Sequence, residues 1–364
     1  MQACKKQPTN VRADMEIYAL VLAGGSGERF WPLSRRALPK QLLRLVSSCS
    51  LLEATIARLE GLIPPSRILV LTNVDQEKGV REVLKKFPDC NIIAEPSKRD
   101  TAAAVALGVA WVAARDHTAA MVVLPADHVI KETAAFQKIL RDAVEAAQAK
   151  GALITIGIRP TSAHPGFGYI EVGEPVSGKP GLSRVVRFRE KPNVDLAESF
   201  IHKGNFRWNA GVFVWTVPTI LTEFNRHAPE FSRFIAMMSA PGAFEKNWTE
   251  KFSRLSKTSF DYAVMEHADR VLVLEAEFDW DDVGGWQAVA RYFEKDSRGN
   301  AANCGLTALD ASDNIVFDDS GRNIALLGVN NLIVVRTRDA VLVCNRHHAE
   351  KIKNLVAQLP EGLQ

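Results

Sequence analysis

The stretch that decides the fold is Leu20-Val-Leu-Ala-Gly-Gly-Ser-Gly-Glu-Arg-Phe-Trp-Pro-Leu-Ser-Arg-Arg-Ala-Leu-Pro-Lys-Gln41. An apolar run over residues 17–22 predicts a short buried strand, and a loop with Gly24, Gly25 and Gly27 follows it. Glycines allow backbone N–H groups to approach a ligand closely, and successive N–H groups that point the same way bind anions. Arginine and lysine side chains after the loop add positive charge. The pattern therefore predicts a strand followed by a polyphosphate-binding loop.

Two familiar phosphate loops do not match this stretch. The dinucleotide fingerprint Gly-x-Gly-x-x-Gly needs a third glycine where this chain has Phe30, and no window fits the Gly-x-x-x-x-Gly-Lys pattern. Pro32 also restricts Trp31, which prevents a helix from starting directly after the glycines. The alternative interpretation is a tight turn with a basic rim.

Apolar strands alternate with helical patterns through the first 160 residues. Runs without polar alternation are typical of strands covered on both faces of a parallel sheet. Ligands of such sheets bind at the carboxyl ends of the strands, so we expect the glycine loop and Asp127 to face one crevice. The pattern predicts a Rossmann-like, doubly wound α/β sheet. The predicted strands are 17–22, 68–71, 121–124 and 153–156, and the predicted helices are 51–62, 77–87, 101–115 and 134–150.

The character of the sequence changes after Tyr292. Short strands separated by turn residues are followed by a final helix, which predicts a small second unit packed on the first or on a partner. The predicted strands are 315–317, 324–327, 332–335 and 340–343, and the helix is 349–359. We therefore expect a disordered extension over 1–14, a catalytic domain over 15–292 and a small C-terminal domain over 293–364.

Composition excludes several classes of protein. The 364 residues carry 45 Lys and Arg against 42 Asp and Glu, a net charge of +3 that is too small to favour nucleic acid or a membrane surface as the main partner. No apolar run is long enough to span a membrane, and the N-terminus lacks the apolar core of a signal peptide. The five cysteines have no Cys-x-x-Cys spacing. We therefore expect a cytoplasmic protein with reduced thiols.

Acidic residues after the predicted strands suggest a metal site. Asp127 follows the strand that ends in Leu124, and Asp279, Asp281 and Asp282 lie between tryptophans. Mg²⁺ prefers one or two carboxylates together with phosphate oxygens. We expect Asp127 and one aspartate of the second group to bind it, although Asp127 alone is equally compatible with a turn cap.

Three further motifs suit a sugar phosphate. The two glycines of Gly166-Phe-Gly168 allow a sugar-like ligand to contact the backbone closely. In Glu190-Lys191, the carboxylate could accept hydrogen bonds from sugar hydroxyls and the ammonium could bind a phosphate. The amide of Asn209 can both donate and accept hydrogen bonds. A β-turn, an exposed ion pair and a turn asparagine are the respective alternatives.

Together these motifs resemble those of the bacterial mannose-1-phosphate guanylyltransferases, also called GDP-mannose pyrophosphorylases. The resemblance runs from about Ile17 to the C-terminus. It rests on the segment from Gly24 to Gln41, on Glu95-Pro-x-x-Arg-Asp-Thr-Ala, on Pro-Ala-Asp-His, and on the Gly-Phe-Gly-Tyr-Ile, Phe-x-Glu-Lys-Pro and Trp-Asn-Ala-Gly motifs. Phe-Asp-Tyr-Ala-Val-Met-Glu at 260–266 and Phe-x-Trp-x-Asp-Val-Gly-x-Trp complete it.

The resemblance implies transfer of GMP from GTP to mannose 1-phosphate, with Mg²⁺ and a homodimer formed through a C-terminal left-handed β-helix. Arg29 and Lys40 would be the catalytic cations, with Lys40 expected at the rim of the site. Asp127 and Asp282 would bind the metal. The nucleotide would contact Leu22, Ala23, Gly24, Gly25, Ser26, Gly27, Arg99, Asp100 and Thr101; the sugar phosphate would contact Gly168, Glu190, Lys191 and Asn209.

The sequence departs from the family at three positions. The family commonly has Asn at position 100, Pro at 103 and Tyr at 167, where this chain has Asp100, Ala103 and Phe167. These departures bear on base and sugar preference. Two other functions therefore remain open: a nucleotidyltransferase for another base or sugar, and a non-catalytic regulatory subunit that binds nucleotide sugar. An isomerase activity, which needs a further domain, is not expected.

Overall fold

A nine-stranded mixed sheet forms the centre of the computed structural model, which describes residues 15–245 and 248–364. The expected extension over 1–14 lies outside the described residues. In chain order the strands are β1 (Ile17–Leu22), β2 (Ile68–Asn73), β3 (Ile92–Glu95), β4 (Ala120–Pro125), β5 (Leu153–Ile158), β6 (Tyr169–Pro175), β7 (Leu182–Arg189), β8 (Phe206–Thr216) and β9 (Val271–Glu275). Their spatial order is β3-β2-β1-β4-β8-β5-β9-β7-β6.

The sheet confirms the predicted doubly wound mixed architecture. Strands β3, β2, β1 and β4 are parallel, and β8 runs antiparallel to β4, β5 and β6. The predicted strands are present, each within two residues of its expected ends. Among the strands of the first 160 residues, β3 was not predicted, because its apolar run covers only residues 92–94, one residue fewer than the shortest strands predicted there.

Helices cover both faces of the sheet. They are α1 (Leu51–Ala57), α2 (Glu77–Val83), α3 (Asp100–Ala113), α4 (Thr133–Lys150), α5 (Val194–Lys203), α6 (Val217–His227), α7 (Pro229–Met238), α8 (Trp248–Ser253), α9 (Trp286–Val289) and α10 (Ile352–Val356). Helix α3 lies very close to β1, since a Cβ on Gly108 would be 2.4 Å from Leu20 Cδ2. A capping box of Ser50 and Glu53 starts α1.

The first two helices are shorter than predicted. Helix α1 ends at Ala57 rather than Leu62, and the turns that follow include Gly61 at a φ of 79°. Helix α2 ends at Val83, before a turn that leads to Pro88. A left-handed glycine or an approaching proline stops a helix although its apolar spacing continues.

The C-terminal unit is β-helix-like, as expected. Strands β11, β13 and β15 stack in parallel, and so do β12 and β14, so that successive turns of chain lie on one another. Buried asparagines join these turns: Asn314 Nδ2 donates to Asn300 Oδ1 at 2.9 Å, and Asn314 Oδ1 accepts from the Leu332 N–H at 2.9 Å. The strands are β10 (Glu294–Lys295), β11 (Ala301–Ala302), β12 (Leu306–Leu309), β13 (Ile315–Asp318), β14 (Ile324–Leu327), β15 (Leu332–Arg336) and β16 (Val341–Asn345).

The two units share one hydrophobic core. Trp286 is fully buried between Phe30, which follows the glycine loop, and Phe317 of β13. Its indole N–H donates to the Trp31 carbonyl at 3.2 Å, and the Trp31 indole N–H donates to the Leu363 carbonyl at 2.8 Å. The C-terminal unit therefore supports the segment that carries the glycine loop.

No helix among the described residues is both long and apolar enough to cross a membrane. The cysteines that the structure describes, Cys49, Cys90, Cys304 and Cys344, are free thiols.

Replacement of Trp286 by alanine should destabilise both units together. Loss of a large buried aromatic side chain costs about 3–5 kcal/mol of unfolding free energy. Tyr262, which is 64% exposed, provides the control, since its replacement by alanine should cost about 0.5 kcal/mol or less. Urea unfolding followed by circular dichroism measures both, and a loss in Trp286→Ala no larger than in Tyr262→Ala would contradict a shared core.

Candidate active site

The glycine loop and the Asp127 segment leave the sheet side by side. Strands β1 and β4 pair in register up to Leu22 and Pro125, and the Ala126 N–H donates to the Leu22 carbonyl at 3.0 Å. Both segments thus emerge at the carboxyl edge of the sheet, where α/β proteins bind ligands. This is the common crevice that the strand pattern predicted.

The glycines of the loop have two different roles. Gly27 has a φ of 62°, and a Cβ there would lie 2.5 Å from the Lys40 Cβ, so the fold itself requires glycine. Gly24 and Gly25 differ, because a Cβ at either position would project into open space. The fold does not need glycine at these two positions, whereas a ligand lying against the backbone would.

Lys40 lies at the centre of the site. Its ammonium is 2.8 Å from Asp127 Oδ2 and also donates to the backbone carbonyl of Asp282. Lys40 is only 7% exposed, so the expectation of a rim lysine was wrong. The side chain is buried because Gly27 packs against its Cβ and because Asp127 and the Asp282 carbonyl bind its ammonium group. Burial disfavours the Asp127 anion, but the charges of Lys40 and His128 outweigh burial and hold the pKa of Asp127 below its usual value.

The three aspartates at 279, 281 and 282 differ in whether their carboxylates are hydrogen-bonded. Asp279 accepts from the N–H groups of Lys131 and Glu132, and Asp281 accepts from Arg291 and Tyr292. Among the described residues, no donor bonds the Asp282 carboxylate. Burial raises the pKa of Asp282 to about 6, with Lys40 opposing the rise and Asp281 and Asp127 adding to it. A cation beside Asp282 would relieve this unfavourable environment.

The donor set fits Mg²⁺ only together with a phosphate. No cluster of three acidic, histidine or cysteine side chains in the described part of the chain could hold a metal ion by itself. Two carboxylates, Asp127 and Asp282, remain, and Mg²⁺ commonly takes one or two carboxylates with substrate phosphates and water. The assignment of these aspartates to Mg²⁺ stays a prediction with a compatible environment.

Arg29 extends from the loop toward the C-terminal unit. Its Nε lies 2.9 Å from Glu350 Oε2, and its side chain is 42% exposed. Arg29 is thus at the glycine loop, as expected, and it is the one predicted catalytic cation that contacts the second unit.

Side chains at the start of α3 hold this end of the helix in place. Arg99 donates to the Ser253 carbonyl, Asp100 accepts from the Thr101 N–H at 2.8 Å, and Thr101 Oγ1 accepts from the Phe260 N–H at 2.8 Å. Asp100 has a φ of 66°, a conformation that aspartate and asparagine tolerate better than most residues. Their predicted contacts with the nucleotide remain untested.

Three of the predicted sugar-phosphate residues lie together. A Cβ on Gly168 would be 2.6 Å from Glu190 Oε2 and 3.5 Å from the Asn209 Cβ, so the glycine allows these side chains to meet. Lys191 pairs with its neighbour Glu190, 2.9 Å away. The structure thus brings Gly168, Glu190 and Asn209 close together.

Asp261 and Thr155, which orient Asn209, were not predicted as site residues. Asn209 Nδ2 donates to Asp261 Oδ1 at 3.0 Å, and Asn209 Oδ1 accepts from Thr155 Oγ1 at 3.1 Å. Burial raises the pKa of Asp261 to about 6, and the charge of Glu190 adds to the rise. The motif at 260–266 was a visible signal, but nothing in its spacing connects it to a residue 52 positions away.

Alanine at the two kinds of glycine should have opposite consequences. Gly27→Ala should lower the free energy of unfolding by about 1–3 kcal/mol, because of the positive φ and the contact with Lys40. Gly24→Ala should leave stability within about 0.5 kcal/mol and weaken binding of a ligand at the loop. Urea unfolding measures the stability of both variants, and equal losses in the two would contradict this division of roles.

Two family models and several known proteins match this sequence over most of its length. The nucleotidyl transferase family model matches residues 18–299, and the mannose-phosphate isomerase/GMP-like β-helix domain matches 306–359. A putative mannose-1-phosphate guanylyltransferase of Vibrio cholerae is 37% identical over 93% of this chain and 74% of its own length. The mannose-1-phosphate guanylyltransferase of Escherichia coli is 33% identical over 94% of this chain and 75% of its own length.

The structural comparison agrees. A crystal structure from Thermus thermophilus, named a mannose-1-phosphate geranyltransferase, superposes with a TM-score of 0.85 at 37% identity and covers 94% of this chain and 99% of its own. The match spans the sheet, the crevice and the C-terminal unit. The chain belongs to the mannose-1-phosphate guanylyltransferase family of nucleotidyl transferases.

Proposed function

We propose that this chain transfers GMP from GTP to α-D-mannose 1-phosphate, giving GDP-mannose and pyrophosphate. The observation that carries the proposal is the buried Lys40, held between Asp127 and the Asp282 carbonyl and packed against Gly27 of the glycine loop. A buried cation, two carboxylates and a backbone anion site are the groups that nucleotidyl transfer requires. Membership of the family supports these substrates.

The reaction needs no general base. An oxygen of the mannose 1-phosphate, already ionised, forms a bond to the α-phosphorus of GTP as the bond to the pyrophosphate oxygen breaks. Catalysis then depends on alignment of the two substrates and on stabilisation of charge on the transferred phosphoryl group. Lys40 and Arg29 supply positive charge to this group.

The other groups hold the two substrates. Asp127 and Asp282 would hold Mg²⁺, which neutralises phosphate charge when bound. Gly168, Glu190, Lys191 and Asn209 would bind the sugar phosphate, and Leu22–Gly27 with Arg99–Thr101 would bind the nucleotide. Asn209 enters this role with a fixed amide orientation, since Asp261 and Thr155 engage both of its polar atoms.

Two other functions make distinguishable predictions. A related transferase would prefer another nucleotide or sugar phosphate, and a regulatory subunit would bind nucleotide sugar without turnover. Retention of Arg29, Lys40, Asp127 and Asp282 argues against the regulatory subunit. Pyrophosphate release measured across a panel of nucleoside triphosphates and sugar 1-phosphates separates all three, and the proposal requires the highest rate with GTP and mannose 1-phosphate.

Lys40→Met should reduce both activity and stability. Loss of a charge that acts on the transition state lowers turnover by about 100–1,000-fold, and the unpaired Asp127 should cost about 1–3 kcal/mol of unfolding free energy. The double variant Lys40→Met/Asp127→Asn separates the two effects, because it removes the unpaired charge but not the defect in catalysis. Near-normal pyrophosphate release from folded Lys40→Met would exclude Lys40 as a catalytic residue.

We also propose a homodimer formed through the C-terminal unit. Large apolar side chains are exposed there on two sheets: on β12 and β14, Leu309 is 59% and Leu327 69% exposed, and on β16, Val341 is 56% and Val343 62% exposed. Leu309 and Leu327 are paired in register on β12 and β14, so their side chains form a continuous patch. Contiguous exposed apolar surface is typical of protein interfaces.

Leu327→Lys should convert the dimer into a monomer, because a buried unpaired ammonium is unfavourable in an apolar interface. Leu196→Lys, at an exposed apolar residue of α5, should leave the mass unchanged. Analytical ultracentrifugation at micromolar protein concentration measures both. A monomeric wild type, or a dimeric Leu327→Lys variant, would count against this interface.

The free thiols of Cys49, Cys90, Cys304 and Cys344 support a reducing compartment. We therefore propose that the reaction takes place in the cytoplasm.

A further inference from the structure

The carbonyl oxygens of the glycine loop are bonded by buried side chains. Gln41 Nε2 donates to the Ala23 carbonyl at 2.6 Å, and Thr72 Oγ1 donates to the same oxygen at 3.1 Å. Asn73 Nδ2 donates to the Gly24 carbonyl at 3.2 Å. Three side chains distant in sequence thus hold two consecutive carbonyls.

The third carbonyl is held in the same way. Gln76 Nε2 donates to the Gly25 carbonyl at 3.0 Å, and Gln41 Nε2 lies 3.2 Å from the same oxygen. Gln41 also donates to Gln76 Oε1 at 3.0 Å, which links the two amides. We call Gln41, Thr72, Asn73 and Gln76 the carbonyl clamp; the exposed fractions of these residues are 2%, 0%, 3% and 2%.

The hydrogen bonds of the carbonyl clamp also determine where the backbone N–H groups of the loop point. In a planar trans peptide, the C=O of one residue and the N–H of the next point in opposite directions. Because the carbonyls of Ala23, Gly24 and Gly25 point into the protein, the N–H groups of Gly24, Gly25 and Ser26 point the other way. Among the described residues, no backbone acceptor engages these three N–H groups.

We propose that the carbonyl clamp positions the nucleotide by fixing the peptide orientation of residues 23–26. The four clamp residues are positioning residues: they act through the loop backbone, which in turn donates to acceptor atoms of a nucleoside triphosphate. Without the clamp, the peptides can rotate and turn a carbonyl dipole toward phosphate. The inference rests on the proposed function in one respect, namely that this loop binds the nucleotide.

The glycines make the clamp necessary. Gly24 and Gly25 have no side chain to restrict their backbone, and glycine loses more conformational freedom on ordering than any other residue. A loop open enough for a ligand is therefore also free to adopt the wrong peptide orientation. Bonds from buried side chains restore one orientation without filling the space above the backbone.

Two isosteric changes test the clamp. Thr72→Val replaces the hydroxyl by a methyl group of similar size, whereas Thr72→Ser keeps the hydroxyl. Gln76→Met keeps the length of the side chain but removes both the donor to the Gly25 carbonyl and the acceptor of the bond from Gln41. Gln137→Met is the matched control, because Gln137 Nε2 also donates to two backbone carbonyls, those of Arg58 and Glu60, at 2.9 Å each and away from the loop.

Binding of GTP is measured by isothermal titration calorimetry, and KM values are measured from pyrophosphate release. We expect Thr72→Val to weaken GTP binding by about 2–12-fold, the effect of one lost hydrogen bond, and Gln76→Met, which loses two, to weaken it at least as much. The KM for mannose 1-phosphate should be unchanged in both. Thr72→Ser should bind GTP as the wild type does. Gln137→Met should lower stability in urea but leave GTP binding unchanged.

The outcomes distinguish this inference from the proposed function. A wild type that binds no GTP would refute the proposed function. A wild type that binds GTP, with folded Thr72→Val and Gln76→Met variants that bind it equally well, would overturn the clamp alone. Equal weakening in Thr72→Ser and Thr72→Val would also overturn it, since the hydroxyl would then not be the group that matters.

Discussion

The ion pair of Lys40 and Asp127 is the interaction on which the rest of the site depends. It joins the segment after the glycine loop to the end of β4, and the bond from Lys40 to the Asp282 carbonyl adds the acidic segment after β9. A buried charge that loses its partner is strongly destabilising, so these three segments are held in one arrangement. Gly27 makes this possible, because only a residue without a Cβ allows Lys40 to pass so close.

The same arrangement separates structural carboxylates from available ones. Asp279 and Asp281 accept bonds from backbone and side-chain donors of the fold, and these bonds hold the acidic segment in place. The carboxylate of Asp282, at the end of that segment, accepts no hydrogen bond from the described residues, and its role as a ligand of Mg²⁺ stays a proposal. The site therefore combines a rigid frame with one acidic group whose environment is electrostatically unfavourable without a cation.

Much of this could be predicted from local sequence. The apolar runs identified the strands, and the parallel arrangement implied that the glycine loop and Asp127 would share one edge. The ends of α1 and α2 were missed because apolar spacing continues past the residues that stop each helix. The burial of Lys40 was missed as well, because it follows from its contact with Gly27, earlier in the chain, and from partners far beyond it in sequence.

Polar contacts between residues distant in sequence could not be predicted either, because they depend on the fold. Asp261, Thr155 and Gln76 are ordinary polar residues in the sequence, and only the fold brings the first two to Asn209 and the third to Gly25. Periodicity describes what one segment buries, not which distant group a side chain will bond. Such contacts orient side chains such as Asn209, which is why the motifs named candidate residues but not the groups that hydrogen-bond to them.

The shared core around Trp286 has a consequence for energetic coupling. Phe30 and Trp31 pack against the C-terminal unit, and Arg29 pairs with Glu350 of that unit, so a change in the unit reaches the glycine loop directly. Thermodynamic linkage is reciprocal: if association of two copies through this unit favours the loop conformation that binds nucleotide, nucleotide binding must favour association to the same extent. The affinity for nucleotide would then rise with protein concentration, making assembly itself an effector of the enzyme.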